Sequence, residues 1–169
     1  MIIELQEHRD LKMRMYVLLS DKDSNFQYLE KKGIIKTERL HIRGFKLYAD
    51  GGLGSRGACL LQPYTDHPGY FGFLLNTREH LDSMANRIRQ KGFQLCTHAI
   101  GDSGNRTMLH IYAKYLAGKN DLRWRIEHAQ VVNQDDFHLF GENSIIASVQ
   151  PTLATTDMYW AGDRVGNTR

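Results

Sequence analysis

The chain has 169 residues, 41% hydrophobic and 24% charged, with a net charge of +3. That is enough for one domain with a sizeable core, and the scattered basic residues argue against a nucleic-acid or membrane-surface partner. Cys59 and Cys96 form no disulfide framework, no apolar run reaches the roughly 18 residues of a membrane span, and "MIIELQEHRD" is no signal peptide, so a reducing, cytoplasmic setting is expected.

In chain order, "LKMRMYVLLS" (11–20) reads as a strand whose apolar character rises toward its end. "NFQYLEKKGI" (25–34) reads as a short helix closed by Gly33. "LHIRGFKLYADGG" (40–52) reads as a second strand, broken at Asp50-Gly51-Gly52. The stretch 54–76 is a Gly- and aromatic-rich loop, of the kind that covers a site. "TREHLDSMANRIRQKG" (77–92) carries strong helix signals: Thr77 can cap it, Gly92 can end it, and Leu81, Met84, Ala85 and Ile88 recur at helical spacing. "FQLCTHAIG" (93–101) is a third strand and "GNRTMLHIYAKYLAGK" (104–119) a helix. "RWRIEHAQ" (123–130) is a fourth strand, "NQDDFHLFGE" (133–142) a short helix and "SIIASVQPT" (144–152) a fifth strand.

This alternation predicts a parallel sheet with helices packed outside it. His98, His128 and Gln150 mark three successive strands, 30 and 22 residues apart, the size of single βα units. On periodicity alone a doubly wound sheet and a (β/α)₈ barrel both remain open.

Polar residues collect at one end of these strands. Lys46 sits in an otherwise apolar strand. If it faces inward it must be neutralised, ion-paired or chemically modified, and the alternative is that it points outward. His98 and His128 fall at the carboxyl ends of their strands, where both α/β architectures bind ligands. Each alone reads as structural, but together they fit a divalent-metal pair. Asp102 can support a ligand or cap the helix that begins near Asn105. Glu127 precedes His128, so it is expected on the opposite face, paired with Arg123 or Arg125. The other histidines read as surface or structural. "GGLGSRG" (51–57) reads either as a backbone cradle for an anion or as a hinge.

"KLYADGGLGSRGA" (46–58), "HAIGDSGNR" (98–106), "RIEHAQ" (125–130) and "ASVQPTLATTDMYWAGDRVG" (147–166) resemble consecutive motifs of the amidohydrolase-3 branch of the metal-dependent amidohydrolase superfamily, the relatives of N-substituted formamide deformylase. The resemblance implies an α/β fold: residues 1–169 as a segment of a TIM (β/α)₈ metal-hydrolase barrel, about five parallel strands corresponding roughly to the third through seventh. It implies Lys46, His98 and His128 as catalytic metal ligands, with Lys46 a candidate carboxylated lysine. Asp50, Asp102 and Gln150 are expected to support those ligands or touch substrate. The implied cofactor is a divalent metal, expected to be zinc, with one or two ions in a parent protein. The implied partner is a small amide-type substrate, its C–N bond cut by metal-activated water.

The departures matter too. No H-x-H pair occurs, Leu153 stands where the family usually has histidine, and Ser103 and Gly104 replace Arg and Ala. The chain stops before an eighth strand and its catalytic aspartate. The isolated chain is therefore expected to be inactive, and the alternative is a non-catalytic binding or regulatory module. Leu47, Leu95, Ile126 and Val149 are expected to line an open barrel interior. That predicts self-association, or pairing with missing barrel segments.

Overall fold

The computed structural model describes residues 2–166. Its centre is a sheet in which β1 (Met15–Ser20), β3 (Leu40–Tyr48), β4 (Gln94–Ala99), β5 (Arg125–His128) and β6 (Ile146–Ser148) run parallel in that order. The two-residue β2 (Ile35–Lys36) pairs antiparallel with the start of β3. The five predicted strands are all present and neighbours in sequence are neighbours in space, as strand–helix alternation requires.

Helices α2 (Asp23–Lys32), α3 (Arg78–Gln90), α4 (Asp102–Leu116) and α5 (Phe137–Glu142) supply the cover. Thr77 caps α3 by accepting the His80 N–H at 3.2 Å. Gly33 and Gly92 follow α2 and α3 at φ of 70° and 68°, a region that glycine enters at little cost. The core lies between sheet and helices. Phe26 of α2 stacks on Phe45 of β3 at 4.0 Å. Tyr112 of α4 donates to Thr97 Oγ1 at 2.8 Å, and the Trp124 indole N–H donates to the Phe93 carbonyl at 2.9 Å. Short terminal helices α1 (Ile2–Glu7), α6 (Leu153–Thr156) and α7 (Ala161–Val165) complete the elements. Among the described residues no helix is long and apolar enough to cross a membrane.

The expected apolar barrel interior is not what the structure contains. Leu47, Leu95 and Ile126 are at most 1% exposed and belong to the core beneath the helices. Successive side chains on a strand alternate, so when these three face the helices their neighbours face the other way. The open face therefore carries Lys46, Cys96, Arg125 and Glu127, together with Tyr16, whose hydroxyl donates to Gln94 Oε1 at 2.5 Å. Burying each apolar chain on the helix side stabilises the fold by about 1.5–3 kcal/mol. A register slip of one residue would expose the whole set. Val149 lies past the end of β6 and is 60% exposed.

The long loop 51–76 folds over the carboxyl ends of the strands and builds its own small core. Leu53, Ala58, Leu60 and Tyr64 pack there against Ile100 and Val165. Part of the backbone cradle expected at 51–57 is already engaged. The N–H groups of Gly51, Arg56, Gly57 and Ala58 already donate within the turn, to Gly57, Leu53, Gly52 and Gly52.

Candidate metal-binding rim

Strand register brings the predicted residues to one edge. Lys46 lies beside Cys96, and Tyr48 beside His98, which in turn lies beside Glu127. Cross-strand partners share a face, so Lys46 points to the open face and not outward beneath the helices. Its ammonium stands 5.2 Å from the Tyr48 ring centroid, and the Tyr48 ring lies 5.6 Å from that of His98. Burial lowers the Lys46 pKa, against the opposing pull of Glu127 and Cys96. Glu127 shares the open face with His98, contrary to expectation, because the register pairs these two residues directly. It forms the expected ion pair with Arg125, at 2.5 Å. Burial works to raise the Glu127 pKa, but hydrogen bonds with Ser148 and Arg125 outweigh it and leave the value lowered.

His128 reaches the rim by a backbone device that spacing could not reveal. Plain alternation would send it to the helix face. Its φ is 74° and that of Ala129 is 44°, two successive residues in a region L-amino acids seldom occupy. The turn swings the imidazole onto His98. The ring centroids lie 4.6 Å apart at 71°, edge to face. His128 Nδ1 bonds Gln150 Oε1 at 2.5 Å. With the amide oxygen accepting, Nδ1 is the donor in this hydrogen bond.

His98 is the unusual member. Its Nε2 is buried and has no hydrogen-bond partner, the nearest carboxylate oxygen being Asp50 Oδ1 at 3.7 Å. Burial lowers its pKa, followed by the neighbouring His128, while a hydrogen bond with the Gly51 backbone works the other way. The ring is thus held neutral, with one nitrogen unused.

Asp50 and Asp102 organise the rim. Asp50 is fully buried, and its carboxylate accepts from the N–H groups of Cys59 (2.9 Å), Ile100 (2.9 Å) and Gly101 (2.8 Å). Burial nevertheless pushes its pKa up to about 6. One side chain thereby ties the end of β3 to the loop, to the end of β4 and to the start of α4. The fit depends on glycine. A Cβ on Gly101 would lie 2.1 Å from the Cys59 carbonyl oxygen, and one on Gly104 would lie 2.6 Å from Asp50 Oδ2. Gly104 is thus one of the departures noted in the sequence, and its lack of a Cβ makes room for this carboxylate. Asp102 opens α4 instead of capping a helix that starts near Asn105. Its Oδ1 accepts from Leu61 at 2.8 Å and Ser103 at 3.0 Å. Sequence reading passed over Asn105, which is fully buried. Its Nδ2, with two hydrogens to give, lies closest to the carbonyls of Gly101 and Val131 at 3.0 Å each, with those of Ala99 and Ile100 also in reach, joining the chain after β4 to the chain after β5. A polar residue inside an apolar helix pattern was the available signal.

The sequence matches the profile of the Amidohydrolase family over residues 1–169. The chain belongs to the amidohydrolase family. The plant protein LONG AFTER FAR-RED 3 of Arabidopsis thaliana is 35% identical over 141 residues, covering 82% of this chain and 24% of that protein. Putative amidohydrolase YtcJ of Bacillus subtilis (strain 168) is 34% identical over 124 residues, covering 73% of this chain and 23% of its own length. Crystal structures of uncharacterized metal-dependent hydrolases from Pyrococcus furiosus and Pyrococcus horikoshii OT3 superpose with TM-scores of 0.87 and 0.85, at 32% and 30% identity. They cover 99% and 98% of this chain, which spans 35% and 33% of theirs. This amidohydrolase segment thus spans about a quarter of the curated relatives it matches. Its fold is an arc of a (β/α)₈ barrel wall, with five parallel strands and helices on one face. Among its described residues no three His, Cys, Asp or Glu side chains gather closely enough to hold a metal ion.

Proposed function

We propose that this segment furnishes part of the reaction rim of a metal-dependent hydrolase that cuts amide-type C–N bonds. The observation that carries this reading is the buried, unpartnered Nε2 of His98 against the His128 ring. A neutral imidazole nitrogen left without a donor is what a borderline-soft divalent cation takes, and zinc suits this donor set best. His98 and His128 would hold the ion, with Gln150 fixing the His128 ring. Lys46, placed on the same face with its pKa lowered by burial, is the candidate for carboxylation as a third ligand, binding through oxygen. When bound, such an ion polarises a carbonyl and lowers the pKa of water.

In this reading residues 1–169 form one unit, roughly the third to seventh strands of the barrel, and further strands pair at the β1 and β6 edges. Without them the chain self-associates through those edges. The free thiols of Cys59 and Cys96 are in keeping with a cytoplasmic setting.

The isolated chain is proposed to be a poor catalyst. Asp50 is fully buried and engaged by three N–H donors, and Glu127 is held by Arg125 and Ser148, so neither rim carboxylate is placed to take a proton from an attacking water. The same engaged carboxylates favour, for this chain by itself, a binding module without turnover. Elemental analysis, Co²⁺ titration by absorbance and hydrolysis of N-acyl amides with added Zn²⁺ test the reading. The expected result is weak binding that His98→Ala abolishes, with no robust turnover. Tight stoichiometric binding that survives His98→Ala would refute the site, and robust turnover would refute the inactivity.

A further inference from the structure

A cavity of about 330 Å³ opens directly beyond His128, between the end of β6 and helices α6 and α7. Val149, Leu153, Ala154, Met158 and Ala161 make its apolar wall. His128, Gln130, Gln150 and Asp157 supply the polar remainder. Its size is at the small end of ligand cavities, with room for a short alkyl chain or one aromatic ring.

The polar groups are arranged for a neutral ligand. Gln150 Oε1 is taken by His128, which leaves the Gln150 amide N–H groups as donors at the mouth. Gln130 Nε2 donates to Asp157 Oδ2 at 2.7 Å, which leaves the Gln130 carbonyl oxygen as an acceptor. One donor and one acceptor match the C=O and N–H of an amide. Asp157 also accepts from Thr156 Oγ1 at 2.9 Å, so its carboxylate is fixed in the wall, where it opposes an anionic ligand.

We propose that this cavity receives the apolar substituent of an uncharged amide whose carbonyl lies at the His98–His128 edge, and that Leu153 sets the preference for that substituent. The proposal rests on the hydrolase reading for the identity of the neighbouring edge. It adds the substrate class, which is neutral, with an apolar group of modest size on the acyl or nitrogen side. Leu153 is the specificity-determining residue because it is the least exposed of the large apolar side chains on the wall, Val149 and Met158 being 60% and 63% exposed.

The test is a methyl-resolved NMR titration of the chain with hexanamide and with hexanoate, which share a tail and differ in charge. Metal is left out, so failure here counts against the cavity alone, and failure of Co²⁺ binding at His98 counts against the metal edge alone. Hexanamide should shift the methyl signals of Leu153, Ala154, Met158 and Ala161 saturably. Hexanoate should bind about tenfold more weakly, and Leu153→Asn should weaken hexanamide by a similar factor, as expected when an apolar wall contact is lost. Met158→Ser, at a site 63% exposed, changes the same wall without threatening the fold and should weaken hexanamide in the same direction. Equal affinity for the two ligands, shifts confined to other surfaces, no measurable hexanamide binding, or unchanged affinity in both variants would overturn the proposal.

Discussion

His98 spends stability on a nitrogen that nothing in the folded chain uses. A buried acceptor left unpaired costs about 1–3 kcal/mol, and Nε2 is such an atom. His98→Leu is therefore expected to stabilise the metal-free chain by about 1 kcal/mol, seen as a higher urea midpoint at unchanged slope, while removing Co²⁺ binding. A lower midpoint would mean that the ring's Gly51 contact outweighs the orphaned nitrogen. Lys46 makes a related argument through pH. Its folded pKa is depressed by burial below the ordinary 10.5. Between that depressed value and 10.5 the unfolded chain holds more protons than the folded one, so stability rises with pH across that window. Lys46→Met should remove this rise, as measured by urea titrations from neutral pH to about 10.5. An identical slope in the variant would show that the ammonium is as well solvated folded as unfolded.

At the scale of elements, the loop and the start of α4 are locked by close contact. Gly101→Ala would place a Cβ against the Cys59 carbonyl oxygen, a backbone atom with little freedom to move. The expected cost is about 2–4 kcal/mol, with faster proteolytic cleavage in the loop 51–76 than in the parent chain. Thr77→Ala, which removes only the α3 cap, should cost about 1 kcal/mol and leave the loop as resistant as before. These contrasts mark what the sequence disclosed. The strands were legible because each is a short apolar run bounded by Gly, Asp or Asn, and α3 because cap, period and terminal glycine agree. Helices α1, α6 and α7 and the two-residue β2 were not, since each is too short to establish a period. The facing of the strands was misjudged because a core strand is apolar enough on both sides for its sequence not to say which side meets the helices. Lys46, His98 and His128 were visible as polar residues at strand ends. The route by which His128 gets to the rim was not, because it depends on two positive φ angles that no residue type there announces. Asp50 showed only as a break in a strand, whereas its three N–H donors come from positions 9, 50 and 51 residues away.

As a whole, the molecule is a sheet covered on one side only, with its outer strands β1 and β6 each lacking a neighbour among the described residues. Its uncovered face is polar, so attraction between copies has to come from strand edges with unpaired backbone groups. Light scattering coupled to size exclusion at micromolar concentration should show association that falls on dilution. A monodisperse monomer would show that the edges are blunted enough to stay single. Asp50 carries a different consequence, one of order in time. Its carboxylate can be satisfied only when the loop after β3, the end of β4 and the first turn of α4 are already together, and two of its three donors lie on the far side of α3. In the folding transition state it is thus a latecomer: the helices and strands must meet before the clasp has anything to close on. Asp50→Ala is expected to leave the folding rate nearly unchanged and to accelerate unfolding, so that the loop and the rim come into register last and are the first to come apart.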